Sequence, residues 1–200
     1  MIKLFICLLL STSAFAQHDM HGMHDMHGIY HEKTKNIFIS QMDTMMMNMD
    51  TVKQTNVAET DFLKLMIPHH QGAVEMAMYE IAHGRNKEMI QLAKSIIAEQ
   101  QIEINMMKQL LLSAYNTSPK DIKKAWDETM NTMMKYMPAT NVLKNTDIAF
   151  AKVMMPHHQA GVDMAKVILQ YGKDHAVKRM AENIISSQQI EIEQMKKYIN

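Results

Sequence analysis

Thiols are almost absent from this chain: its 200 residues include 1 Cys, Cys7. That residue sits in a segment with a charged start, Met1-Ile2-Lys3, an apolar stretch from Leu4 to Leu10, and Ser11-Thr12-Ser13-Ala14-Phe15-Ala16. The pattern is that of an export signal ending in an A-x-A cleavage site, so residues 1–16 are expected to be removed and the mature chain to begin at Gln17. Without thiols, disulfide frameworks and zinc–thiolate sites are excluded. Long apolar runs are missing too: the signal stretch falls well short of the ~20 residues needed to span a bilayer, and no later run reaches that length. A soluble exported or periplasmic protein with no membrane attachment after cleavage is expected. Charge of one sign is also lacking, since 21 Lys+Arg face 21 Asp+Glu. This excludes a field built to attract nucleic acid or an anionic membrane. Only 6 Gly and 4 Pro are present, while 47% of residues are hydrophobic. Turn formers are scarce and a core can be buried, which predicts an all-α fold.

What the chain has in surplus is 24 Met and 11 His. Residues 17–33 form a His/Met-rich leader in which His18, His21, His24 and His27 recur every third position. It has no apolar periodicity able to bury a face, so it is expected to be disordered in the free protein.

Beyond the leader the sequence repeats itself at an offset of 88 residues without a gap. Met42, Met45, Met46 and Met49 match Met130, Met133, Met134 and Met137. Met66-Ile67-Pro68-His69-His70-Gln71 matches Met154-Met155-Pro156-His157-His158-Gln159, and Glu75-Met76-Ala77 matches Asp163-Met164-Ala165. Gln100-Gln101-Ile102-Glu103-Ile104 matches Gln188-Gln189-Ile190-Glu191-Ile192, followed by Met107 and Met195. Two helical repeats, 34–115 and 116–200, are therefore expected.

Each repeat reads as three helices. The Met quartets fall at i, i+3, i+4 and i+7, one helical stripe. Ser118 and Pro119 would start the second Met helix. The middle helix is expected to start near the N-caps Thr60 and Thr146, to kink at Pro68 and Pro156, and to stop near Gly84 and Gly172. The last helices run from about Lys87 to Leu112 and from about Asp174 onward. Two long hairpins from duplicated sequence predict a four-helix bundle with approximate twofold symmetry, the shorter Met helices packing at its ends or flanks. Two separate small bundles are the alternative, each with a thin core.

On the middle helices, Phe62, Met66, His69, Ala73 and Met76 share one stripe, as do Phe150, Met154, His157, Gly161 and Met164. A buried His must find a partner, and the simplest would be a His69–Gln100 hydrogen bond. Twice-repeated His pairs bracketed by methionines favour metal instead. Adjacent helical residues point about 100° apart, so one His of each pair is expected inward and the other on the flank. Glu103 and Glu191 could orient a ligating imidazole, with an ordinary surface position the simpler expectation. The Met stripes divide evenly between packing and ligation. Met47, off the stripe, is expected exposed, as are His83 and His175. Thioether is soft and imidazole borderline, so a His/Met site without thiolate selects Cu(I), with Ag(I) as mimic, while His also accommodates Cu(II).

The motifs around His69-His70-Gln71 and Gln100-Gln101, in both copies, resemble the domain-of-unknown-function 305 family, whose members include exported copper-binding proteins linked to copper resistance. The resemblance implies a ferritin-like helical bundle and copper binding. It carries ligand roles onto His69, His70 and Met76, onto His157, His158 and Met164, and more weakly onto Met107 and Met195. The expected partner is a metal ion, with a copper-export or copper-chaperone protein as a further candidate, and no enzymatic activity is expected. A di-iron oxidase would need two Glu-x-x-His helices, and only Glu80-Ile81-Ala82-His83 has that spacing. A non-metal interaction module with Met-rich faces is the other alternative.

Overall fold

The computed structural model describes residues 35–113, 115 and 122–199. Its long elements are all helices: α1 (Ile37–Asp50), α2 (Ala58–His83), α3 (Lys87–Leu110), α4 (Lys123–Lys135), α5 (Thr146–Tyr171) and α6 (His175–Ile199), with a 3-10 turn at Thr140–Val142 before α5. No strand occurs among the described residues. The leader and the Ser118-Pro119 pair lie outside them.

Short polar side chains set most of the starts. Asn36 accepts from the Phe38 N–H, Asn86 from Glu88 and Met89, Asn145 from Ile148, and Asp174 from Ala176 and Val177. Each satisfies first-turn donors that have no partner inside the helix. The expected caps at Thr60 and Thr146 are displaced. Helix α5 is capped one residue earlier by Asn145, while α2 starts at Ala58, after Val57, which has no capping side chain. There Asp61 instead pins the preceding loop, accepting from the Thr55 N–H and hydroxyl at 2.6 and 2.7 Å and from the Asn56 N–H at 2.9 Å. Asn56 sits at φ 61°, a left-handed conformation that asparagine tolerates. Helices α2 and α5 run through Pro68 and Pro156 as single elements.

Helices α2 and α3 form one hairpin, α5 and α6 the other, and α2 packs on α5 to join them. The two hairpins therefore share one bundle. Their ends are clasped across the repeats. Glu59, at the start of α2, accepts from the Lys173 and Asp174 N–H groups in the α5–α6 turn. Asp147, its counterpart at the start of α5, accepts from Arg85 and Asn86 in the α2–α3 turn at 2.8 Å each. The start of each middle helix thus lies beside the end of the other, so α2 and α5 are antiparallel. Helix α1 lies on α2 and reaches α5, and α4 lies on α5, so the Met helices flank the bundle. Phe38, Met42, Met45 and Met49 on α1 and Trp126 and Met133 on α4 are buried there.

Candidate metal centre

All four histidines of the two His pairs are fully buried, each at 0% exposure. The expected division into one inward and one flanking residue therefore fails. His69 and His157 meet where α2 crosses α5, their rings stacked at 3.9 Å between centroids and inclined by 27°. His70 and His158 turn toward the outer helices, which bury them as completely. His70 Nε2 lies 2.7 Å from Glu103 Oε2 on α3, and His158 Nε2 lies 2.8 Å from Glu191 Oε2 on α6. The surface reading of these glutamates is overturned: Glu191 is buried and Glu103 half-buried. Helix geometry had the directions of neighbouring residues right but took for solvent a side that another helix covers.

These contacts determine which nitrogens are free. In a neutral imidazole one nitrogen carries hydrogen and the other a lone pair. His157 Nε2 donates to the His69 carbonyl at 3.1 Å, which leaves Nδ1 as the lone-pair atom. A carboxylate hydrogen-bonded at Nε2 selects the same tautomer in His70, whereas the Glu191 carboxylate lies beside His158 Nε2 without hydrogen-bond geometry. The Nδ1 atoms of all four rings are buried without a hydrogen-bond partner, and so are Nε2 of His69 and Nε2 of His158. The simple His69–Gln100 pair does not form. The side-chain amides of Gln100 and Gln188 are themselves buried and unpartnered. Gly161 gives the latter room, since a Cβ there would lie 2.4 Å from Gln188 Oε1.

Burial, followed by the electrostatic influence of neighbouring histidines, holds the pKa values of His69 and His157 well below the ordinary 6.5. Both rings are therefore neutral near pH 7, the state in which imidazole binds metal. An unpartnered buried polar group costs about 1–3 kcal/mol, and natural proteins carry few of them. Here several such groups gather around one crossing. The donor set suits a soft ion. Among the described residues no three His, Cys, Asp or Glu side chains converge in an arrangement able to hold a metal, so thioethers would have to complete the coordination. Met66, Met76, Met107, Met154, Met164 and Met195 are all fully buried in the same core.

The methionines of the two Met segments divide. Met42, Met45, Met49 and Met133 are core residues; Met46, Met130 and Met137 are partly buried; Met134 is 39% exposed and Met47 69%. The leader's His18, His21, His24 and His27 lie outside the described residues. His83 and His175 are exposed. His83 stacks on Tyr79 at 3.9 Å and its Nδ1 meets the Tyr79 carbonyl. Sequence reasoning missed the Glu59 and Asp147 clasp and the placement of Trp126, which no local spacing signals.

A duplicated pair of helical hairpins that buries paired histidines at its centre defines a ferritin-like all-α bundle. Residues 11–111 and 113–199 each match the profile of the domain of unknown function DUF305. The chain belongs to the DUF305 family, in two tandem copies. No curated protein matches it. Among solved structures, CopM in its apo form is 28% identical, with a TM-score of 0.55 over 70% of this chain and 94% of CopM. CopM has also been solved in Ag-bound, Cu(I)-bound and Cu(II)-bound forms, the Cu(I) form matching at a TM-score of 0.52 and 28% identity. A DUF305 protein of Streptomyces coelicolor, inferred to be secreted, is 25% identical over 71% of this chain and 90% of its own, with a TM-score of 0.53. A DUF305 fragment from Deinococcus radiodurans, 21% identical over 70% of this chain and 94% of its own, shares the fold at a TM-score of 0.52. No described helix is long and apolar enough to cross a membrane.

Proposed function

We propose that this is an exported, periplasmic copper-binding protein that sequesters copper or hands it on, contributing to copper resistance or homeostasis. The observation that carries the reading is the set of four buried imidazoles whose Nδ1 atoms have no hydrogen-bond partner, in a core rich in thioethers. The copper- and silver-bound forms of CopM support it, as does the export-signal pattern expected over residues 1–16.

Copper is the cargo. The neutral rings of His69, His70, His157 and His158 supply borderline donors, and Met76, Met107, Met164 and Met195 supply soft ones, a combination favouring Cu(I) with Ag(I) as mimic and leaving Cu(II) accessible to the histidines. Glu103 holds the His70 ring in the tautomer that presents Nδ1, and Glu191 places a carboxylate beside the His158 ring. The bundle excludes water from these groups. Because all four rings are covered, loading requires side chains around the α2–α5 crossing to part. The leader's histidines and methionines, tethered to the bundle, raise the local concentration of captured metal. A copper-export or copper-chaperone protein is the proposed recipient. The role is binding rather than catalysis.

The test is an anaerobic Cu(I) titration of the mature protein against a competing chelator. It is repeated with His69, His70, His157 and His158 replaced by Ala and, separately, with residues 17–33 removed. Loss of bound copper in the histidine variant is expected. Unchanged stoichiometry and affinity in both variants would refute the site, and a preference for Zn(II) over Cu(I) would refute the metal.

A further inference from the structure

We propose that a second soft-metal site lies between the two Met helices, apart from the buried histidines, with Met46 and Met49 of α1 and Met130 of α4 as its thioether donors and Trp126 against it. This rests on the copper reading above, and gives it a separate binding position on the flank of the bundle.

These three methionines and Trp126, together with Met164, line a single cavity of about 610 Å³. Methionine most often serves as packing, because its flexible chain fills gaps. Here the methionines border an open cleft on the flank of the bundle instead of a filled interior. Two of the three, Met46 and Met130, are only partly buried, whereas the four histidines are fully buried. The repeat strengthens the point. Met130 corresponds in the duplication to Met42, which is 1% exposed within the core, yet Met130 lies on the cavity. The cavity thus gathers sulfurs from non-equivalent positions of the two copies.

The other groups present restrict the ion. Asp50 and Asp127 also line the cavity, but both are solvent-exposed and Asp127 is ion-paired with Lys123. Gln54, Asn131 and Lys123 line it as well, and no three His, Cys, Asp or Glu side chains among the described residues form a metal-binding group, so the carboxylate cluster that a hard divalent cation favours is missing. Several neutral thioethers without thiolate select a soft monovalent ion, Cu(I) or Ag(I). Trp126 is 3% exposed and its buried Nε1–H has no acceptor. The indole is therefore not held there by a hydrogen bond, and its π-system is the best aromatic partner for a cation.

Trp126 is the chain's 1 Trp, so its emission reports on this cavity alone. The experiment titrates Ag(I), which is closed-shell and redox-inert, into the mature protein while Trp126 fluorescence and bound silver are followed together. It is repeated with Met46→Leu and Met130→Leu combined. Both positions are partly buried and the change conserves volume, so the fold is kept, and circular dichroism checks this. Saturable quenching in the natural protein is expected. In the double variant quenching should weaken at least about tenfold in affinity, with one fewer silver bound. Silver binding without any change in Trp126 emission, or equal quenching in the double variant, would overturn the second site and leave the histidine site standing. Absence of silver binding altogether would overturn both.

Discussion

His69 and His157, equivalent residues of the two repeats, stack ring on ring at 3.9 Å, and the Nε2 of one donates to the backbone carbonyl of the other. The duplication has placed the same residue on both sides of the α2–α5 crossing. Burial comes first, and nearby histidines second, in pushing both rings below their ordinary pKa. The unfolded chain therefore takes up protons that these two folded rings refuse. Their contribution to stability is fully present above pH 6.5 and is lost as the pH falls through that value toward the lower folded pKa. The melting temperature of the metal-free protein should drop between pH 7 and pH 5. Replacing both residues by Gln should flatten this acid limb, and an unchanged limb would show that these rings are not the groups responsible.

Glu80 acts in the opposite direction. Burial, and after it the adjacent Asp147, raises its pKa from 4.5 to about 8. The folded state thus retains a proton that the unfolded state has released. Stability from this group is fully present below pH 4.5 and is lost as the pH rises to about 8, at up to ~1.4 kcal/mol per unit for a single group. Denaturant unfolding of Glu80→Gln should show a shallower decline across this range. If the variant declines as steeply as the natural protein, Glu80 is ionised in the fold.

The carboxylates behind the outer histidines should tune affinity without being ligands. Glu103→Gln and Glu191→Gln keep size but weaken the preference for a hydrogen on Nε2, so Nδ1 is less reliably available. Such partners are typically worth about 10–100-fold in metal affinity. Competition titrations should show that loss with the folded structure retained. Wild-type affinity in both variants would mean that these contacts are structural only.

The duplicated hairpins are legible in the amino-acid sequence alone. The 88-residue offset, the helical stripes and the scarcity of Gly and Pro specify them, because periodicity and turn chemistry are local properties. Exposure is less legible. Glu103 and Glu191 lie toward the polar side of their own helices, and only the approach of α2 and α5 makes them partners for His70 and His158. The cavity beside Trp126 leaves no local signal for the same reason, since α1 and α4 are far apart in sequence. Helix starts are misplaced where Asn145 and Asp61 offer better hydrogen bonds than the threonines nearby.

Two helix glycines should respond differently to the same substitution, although alanine is intrinsically worth up to about 1 kcal/mol over glycine inside a helix. At Gly72 a new Cβ would meet Met45 Cγ at 2.9 Å and Met45 Cβ at 3.0 Å. Those atoms lie near the backbone of a buried residue that seats α1 on α2, so the side chain cannot simply swing away. Overpacking of this kind costs about 1–3 kcal/mol, which exceeds the propensity gain, so Gly72→Ala should lower stability and loosen α1. At Gly161 the shortest approach is to the terminal Oε1 of Gln188, an unpartnered amide that can rotate. Gly161→Ala should therefore change stability by less than about 1 kcal/mol, the gain and the strain nearly cancelling. Denaturant midpoints of the two variants measure the difference, and hydrogen exchange along α1 locates it. Equal effects at the two positions would show that α1 yields as easily as the end of a glutamine side chain.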